Sequence, residues 1–231
     1  MTMWNRLRYT VWAPAYDALV SAARFEAARR LSIDRLKLTP SARVLIVGAG
    51  TGLDLDFLPS NVHVTAIDVT PAMLKHLELR AARAGRSVTT RIMDARQLEF
   101  PDSSFDAVIM HLILAVMPQP ERGLREAVRV LKCGGRIAVF DKFLGDEERP
   151  SLKRRLFNVF AKPLFSDLNR RLGPLIKGTL LVIEHDEPVA FGGTYRVVTV
   201  MNPDHGSHAA GVVNTNTVRG SPDGRTGPIR G

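Results

Sequence analysis

The stretch Arg43-Val44-Leu45-Ile46-Val47-Gly48-Ala49-Gly50-Thr51-Gly52 constrains the fold of this chain more than any other. A short apolar run closing in alternate glycines reads as a buried parallel strand whose turn lets a ligand reach the backbone. It predicts a following helix whose first N–H groups point at that ligand. The next apolar strand, His63-Val64-Thr65-Ala66-Ile67-Asp68, ends in a carboxylate sixteen residues after Gly52. A carboxylate in that place can accept hydrogen bonds from both hydroxyls of a ribose. The stretch is therefore read as a nucleoside-binding strand, loop and helix.

Spacing narrows the nucleoside. A dinucleotide fingerprint, G-x-G-x-x-G, needs a glycine three after Gly50, and that position is Leu53, with the glycine at Gly52 instead. A nicotinamide oxidoreductase is disfavoured on that ground. Strands are expected at about 43–48, 62–68, 88–93, 105–111 and 136–140. Between them fall a helix opened by Thr70 and Pro71 and ending before Gly85, and one carrying Leu124, Ala127, Val128 and Leu131 on one face. This alternation implies a parallel sheet. Ahead of it, residues 15–36 place Tyr16, Leu19, Val20, Ala23, Ala27 and Leu31 on one helical stripe, with Arg24, Arg29 and Arg30 largely elsewhere.

Past residue 140 the pattern changes. Residues 151–172 form two amphipathic, basic pieces divided by Pro163. Residues 180–190 and 194–200 read as extended segments around Phe191-Gly192-Gly193, an antiparallel hairpin that would complete the sheet. Residues 202–231 are poor in large apolar side chains and are expected to be a disordered tail. The expected organisation is one domain over 1–201, with an N-terminal helical cap at 1–37 and a basic helical insertion at 151–177.

With 231 residues, 45% of them hydrophobic, the chain can bury one substantial core and is short for two. A single cysteine, Cys133, excludes an internal disulfide framework and fits a reducing compartment, so a cytoplasmic location is expected. The longest nearly apolar stretch, 107–117, contains His111 and falls short of the roughly 20 residues that a membrane span needs. Trp4, Arg6, Arg8 and Tyr9 stand where a signal peptide would be continuously apolar. The net charge of +9 is uneven: residues 38–150 balance, whereas 1–37 carry +4 and 151–177 carry +6. Basic appendages on a neutral core point to an anionic partner, either a membrane surface or an acidic substrate. No nucleic acid partner and no metal are expected.

The glycine loop and Asp68, with Asp94-Ala95 after the third strand, Phe105-Asp106-Ala107-Val108-Ile109-Met110-His111 as the fourth, and Leu131-Lys132-Cys133-Gly134-Gly135-Arg136 before the fifth, resemble the class I S-adenosylmethionine-dependent methyltransferases. The likeness runs in order from about Tyr9 to about Val200. It implies an α/β fold: a doubly wound, mostly parallel, Rossmann-like sheet of seven strands with a C-terminal antiparallel hairpin. It also implies S-adenosyl-L-methionine as cofactor. On the matching positions Gly48, Ala49, Gly50 and Gly52 would line its methionine portion and ribose, and Asp68 would hold the ribose hydroxyls. Val69 and Met73 would border the adenine, Asp94 and the Ala95 backbone would meet the adenine amino group, and His111 would sit beside the sulfonium. One departure stands out: members usually carry an acid two residues before the first glycine, helping to hold the methionine amino group, and here that residue is Ile46.

The opening Arg8-Tyr9-Thr10-Val11-Trp12-Ala13-Pro14-Ala15-Tyr16-Asp17 resembles the start of quinone-biosynthesis methyltransferases and of bacterial phosphatidylethanolamine N-methyltransferases. In those families the segment folds over the cofactor, which would bring Tyr9 and Tyr16 to the methionine carboxylate or, with Trp12, to a substrate amine. Pro118-Gln119-Pro120-Glu121-Arg122 and Phe191-Gly192-Gly193-Thr194-Tyr195-Arg196 look most like the phospholipid enzymes. The expected acceptor is thus a membrane-associated lipid such as phosphatidylethanolamine, with the protein peripheral on the inner membrane. Alternatives are C-methylation of a prenylated quinone precursor, a small-molecule acceptor, and a protein that binds the cofactor without turnover. An amine acceptor must lose a proton, and His111, His185, Asp141 and Tyr195 are the candidate bases.

Overall fold

The computed structural model describes residues 23–143, 171–190 and 193–203. Tyr9, Trp12, Tyr16, most of the basic insertion and the tail beyond Pro203 lie outside the described residues. Seven strands form one sheet: β1 (Arg43–Val47), β2 (His63–Asp68), β3 (Val88–Ile92), β4 (Phe105–His111), β5 (Leu131–Lys142), β6 (Val182–Ala190) and β7 (Tyr195–Met201), in the order β3-β2-β1-β4-β5-β7-β6. The pairs from β3 across to β5 are parallel, while β7 runs antiparallel between β5 and β6. This is the doubly wound, mostly parallel sheet with a C-terminal antiparallel hairpin that the sequence implied.

After the exposed Arg43, the successive residues Val44, Leu45, Ile46 and Val47 of β1 are all buried because both faces of the sheet are covered. Val44 and Ile46 pack with Ile33, Leu36, Leu74 and Leu77 on one side, so helices α1 (Ala23–Asp34) and α2 (Pro71–Arg83) cover that face. Leu45 and Val47 pack with Leu124, Ala127 and Val130 of α3 (Pro120–Val130) on the other. A single helical turn, α4 (Gly173–Ile176), leans on α3, with Leu175 and Ile176 packed against the same core.

Three local expectations are corrected. The helix expected after the glycine loop is a single 3₁₀ segment, Leu53–Phe57. The buried face of α1 is Phe25, Ala28, Arg29, Ser32 and Ile33, with Ala27 exposed, so the stripe is rotated from the one read off the alanines. The reason is that Arg29 turns inward to a buried carboxylate instead of outward to water. Leu131 belongs not to α3 but to β5, which starts five residues earlier than expected and bulges at Gly134-Gly135. Cys133, on that bulge, is exposed.

Asn202, placed by sequence at the head of the tail, is 8% exposed and docks on the same bulge. Gly134 N–H donates to its carbonyl at 2.7 Å, and its own N–H donates to Gly135 at 2.9 Å. Its side-chain amide donates to the carbonyls of Leu131 and Lys132. The structured domain therefore includes Asn202.

Candidate functional site

Strand order reverses between β1 and β4, and a crevice opens at the carboxyl ends of the strands there, where open α/β sheets bind ligands. Gly48, Ala49, Gly50, Asp68, Val69, Met73, Asp94, Ala95 and His111 all line this crevice. Gly52 does not. It takes φ +83° at the start of the 3₁₀ segment, and a Cβ there would lie 2.7 Å from the Leu77 side chain. Its role is close packing of the loop on α2. Gly48 is also crowded, by Ile113, whereas a Cβ on Gly50 would meet nothing within 4 Å. The loop is thus tightly packed at Gly48 and Gly52 and open at Gly50.

Asp68 is anchored by backbone N–H groups and by the Thr70 side chain. Its Oδ2 accepts the Gly50 N–H at 3.0 Å and its Oδ1 accepts the Thr70 N–H at 2.8 Å. Burial pushes its carboxyl above the ordinary value, and the N–H groups of Thr70, Gly50 and Val69 and the Thr70 hydroxyl pull it only part of the way back. The carboxylate is therefore fixed beside the glycine loop in the wall of the crevice.

Asp94 is bound differently. Arg96 grips it with Nε, an Nη and its backbone N–H, and holds the carboxyl down at about 2. Asp94 lines the crevice, but most of its acceptor capacity is committed to Arg96. Met73 is buried, and Val69 is half-buried beside it in the wall.

His111 closes the floor. Its ring is fully buried, with Nδ1 2.7 Å from Asp54 Oδ1 and Nε2 3.0 Å from Ser32 Oγ. Asp54 can only accept, so Nδ1 donates to it, and in the neutral ring Nε2 accepts from the Ser32 hydroxyl. Arg29 Nη1 donates to the same Asp54 oxygen. Burial raises the Asp54 carboxyl, but His111 and Arg29 outweigh it and hold the group well below the usual carboxylate range. Arg29, Asp54 and Ser32 escaped the sequence reading. The available signal was Asp54 itself, a carboxylate directly after a nucleoside loop, on a segment that packs inward.

Of the four candidate bases, only His111 lines the crevice among the described residues, and both of its nitrogens are engaged. Asp141 is buried at the end of β5, accepting the N–H groups of Ala115 and Lys142, and burial raises its carboxyl. Tyr195 is pushed up to about 12 by burial and by Asp141. His185 is exposed on the edge strand β6. Among the described residues no cluster of side chains fits a metal ion, and no helix is long and apolar enough to cross a membrane.

Residues 45–139, the span from β1 to β5, match a family model described as a methyltransferase domain. The chain is 38% identical over 107 residues to a phosphatidylethanolamine N-methyltransferase of Cereibacter sphaeroides, covering 46% of this chain and 53% of that protein. It is 31% identical over 139 residues to a ubiquinone/menaquinone biosynthesis C-methyltransferase of Geotalea daltonii, covering 56% and 59%. The matched stretch thus spans little more than half the length of these curated relatives. Among solved structures, the [4+2]-cyclase SpnF superposes with a TM-score of 0.66 at 22% identity, covering 78% of this chain and 81% of that one. That likeness concerns the fold, and a fold of this kind does not by itself fix a reaction.

Proposed function

We propose that this chain, whose residues 45–139 form a methyltransferase domain of the class I S-adenosylmethionine-dependent kind, methylates a membrane-associated lipid. S-Adenosyl-L-methionine is the cofactor that goes with the domain, and the crevice fits it. Asp68 and the open face of Gly50 suit the ribose, Val69 and Met73 suit the adenine, and the Ala95 backbone in the same crevice suits its exocyclic amine. The observation that carries the reading is the backbone-anchored Asp68 beside the glycine loop at the switch point of a methyltransferase domain.

The cofactor supplies an electrophilic methyl group on a sulfonium, and in-line transfer needs neither a metal nor a covalent link to the protein. What the chain contributes is position and exclusion of water. Asp68 fixes the ribose and so the direction of the reacting end. The floor made by His111, Ile113 and Met117 brings buried ring and apolar surface to the crevice, which disfavours water as a competing acceptor.

Phosphatidylethanolamine is the first acceptor proposed, with N-methylation of its amine, because of the likeness to the Cereibacter enzyme and the +6 charge of residues 151–177. Basic amphipathic segments lie in the headgroup region, where each cation contributes about 1 kcal/mol on an anionic surface. A prenylated quinone precursor is the second, favoured by the Geotalea match. The test is incubation of purified protein with methyl-labelled cofactor and vesicles of either lipid. Label in phosphatidylethanolamine supports the first reading, label in the quinone precursor the second, and label only in soluble small molecules removes both. Cofactor binding with no turnover of any acceptor would leave a binding protein.

A further inference from the structure

The crevice holds two carboxylates with different partners. Asp68 is held by neutral donors only, backbone N–H groups and the Thr70 hydroxyl, as suits a neutral diol. Asp54 is held by a guanidinium and an imidazole, in a pocket of charge that a ribose would not need. Arg29 and Asp54 both line the crevice, and their side chains are only 7% and 6% exposed. The Arg29 Nε is buried and has no hydrogen-bond partner among the described residues. A buried donor on a charged group is costly to leave without an acceptor. The Asp54 Oδ1 carries both bonds, from Arg29 and from His111, which leaves its Oδ2 to take another donor.

Ile46 adds the complementary fact. It stands on β1 where the family resemblance implies an acid, and it is 1% exposed, packed in the core beneath α1 and α2. The strand before the glycine loop therefore brings no charge to an ammonium group, while α1 and the 3₁₀ segment bring a paired cation and anion into the crevice.

We propose that Arg29 and Asp54 clamp the amino-acid end of the cofactor, the guanidinium taking its carboxylate and the Asp54 carboxylate taking its ammonium. The clamp replaces the acid missing at Ile46. A zwitterion matches such a pair because each of its charges meets the opposite one in a dry site, with charge-assisted hydrogen bonds on both sides. Arg29 is a binding residue here and takes no part in the transfer. The inference rests on the cofactor reading above, and its test separates the two.

The probes are S-adenosyl-L-homocysteine, its decarboxylated form, and 5′-methylthioadenosine, which keeps the adenosine and sulfur but lacks both charged groups. Calorimetry is run on the full chain and on the double variant Arg29→Gln/Asp54→Asn, which removes both buried charges together and so leaves neither uncompensated. The variant should bind 5′-methylthioadenosine within about twofold of the unmodified chain but S-adenosyl-L-homocysteine about tenfold or more weakly, the loss expected for charge-assisted bonds. Equal S-adenosyl-L-homocysteine affinity in both proteins overturns the clamp. An equal loss for both ligands also overturns it, since that is the mark of a purely structural pair. The unmodified chain gives an arm that does not depend on the variant folding. Its decarboxylated ligand should bind about tenfold more weakly than S-adenosyl-L-homocysteine, and equal binding refutes the Arg29 contact. Failure of the unmodified chain to bind any of the three overturns the clamp together with the cofactor reading on which it rests.

Discussion

The Asp68 carboxylate receives the N–H of Gly50 at 3.0 Å, joining the end of β2 to a loop eighteen positions earlier in the chain. The same group thus shapes the glycine loop and lines the crevice.

That double role separates two substitutions. Asp68→Ala removes charge-assisted acceptors that are each worth about 1.5–3 kcal/mol, and should weaken cofactor binding tenfold or more. Asp68→Asn keeps one acceptor oxygen and should lose less. Titration calorimetry with S-adenosyl-L-homocysteine ranks the three proteins, and unchanged affinity in Asp68→Ala would refute the ribose assignment.

Acid should weaken binding early. Burial raises the Asp68 carboxyl above its ordinary 3.8, so its proton arrives at a higher pH than on an exposed aspartate. Protonation turns an acceptor into a donor, and affinity falls as pH drops through that raised value. For the free protein the sign is opposite. A carboxyl raised on folding costs stability once ionised, so this group favours the fold below its unfolded value and ceases to do so as pH rises through the folded one. Affinity measured against pH should show the loss beginning above 3.8, and Asp68→Asn should flatten it.

The two loop glycines should fail in different ways. A Cβ at Gly52 lies 2.7 Å from Leu77, and the residue has φ +83°, so Gly52→Ala combines overpacking with backbone strain. The expected loss is roughly 2–4 kcal/mol of stability. Gly50→Ala meets no neighbour within 4 Å and carries only the strain of φ +53°, about 1 kcal/mol. Thermal melts should show the larger drop for Gly52→Ala, and the reverse order would contradict the packing described.

The end of the domain can be located by truncation. A chain ending at Pro203 should melt like the full one, because residues 204–231 contain too few apolar side chains to offset their ordering. A chain ending at Met201 loses the Asn202 bonds to the β5 bulge. At about 2 kcal/mol in all, it should melt roughly 5 °C lower. Equal melting of the two truncated chains would mean that Asn202 contributes nothing.

Membrane association is tested by charge. Sedimentation with vesicles should rise with anionic lipid, fall with salt, and fall again when Lys153, Arg154 and Arg155 become Gln. Indifference to anionic vesicles at low salt removes the lipid surface from the proposal.

Much of this was legible in the sequence because it is written locally. β4 falls on the expected 105–111, and the glycine loop, Asp68, and the Thr70-Pro71 start of α2 stand where their spacing put them. Leu131 was misplaced because an apolar residue seven positions after Leu124 suits a helix and an emerging strand equally. The Arg29, Asp54, His111 and Ser32 network was out of reach for a different reason. Its members are 25, 57 and 79 positions apart, and an arginine among alanines on an amphipathic helix ordinarily faces water. Only a buried carboxylate on another element makes the inward rotamer favourable.

The last strand has a further consequence. β6 lies at the edge of the sheet with Val182 and Ile183 exposed, the kind of rim on which another chain can stack its backbone. Its acids are each tied inward: Glu184 to Arg136 of β5, Asp186 to Arg196 of β7 and Glu187 to Arg35 just past α1. Pro188 also removes one N–H from the strand. An incoming strand would meet fixed ion pairs and a missing donor, so the rim is a poor template for growth. The ion pairs that hold the hairpin down thus also guard the chain against fibrillation.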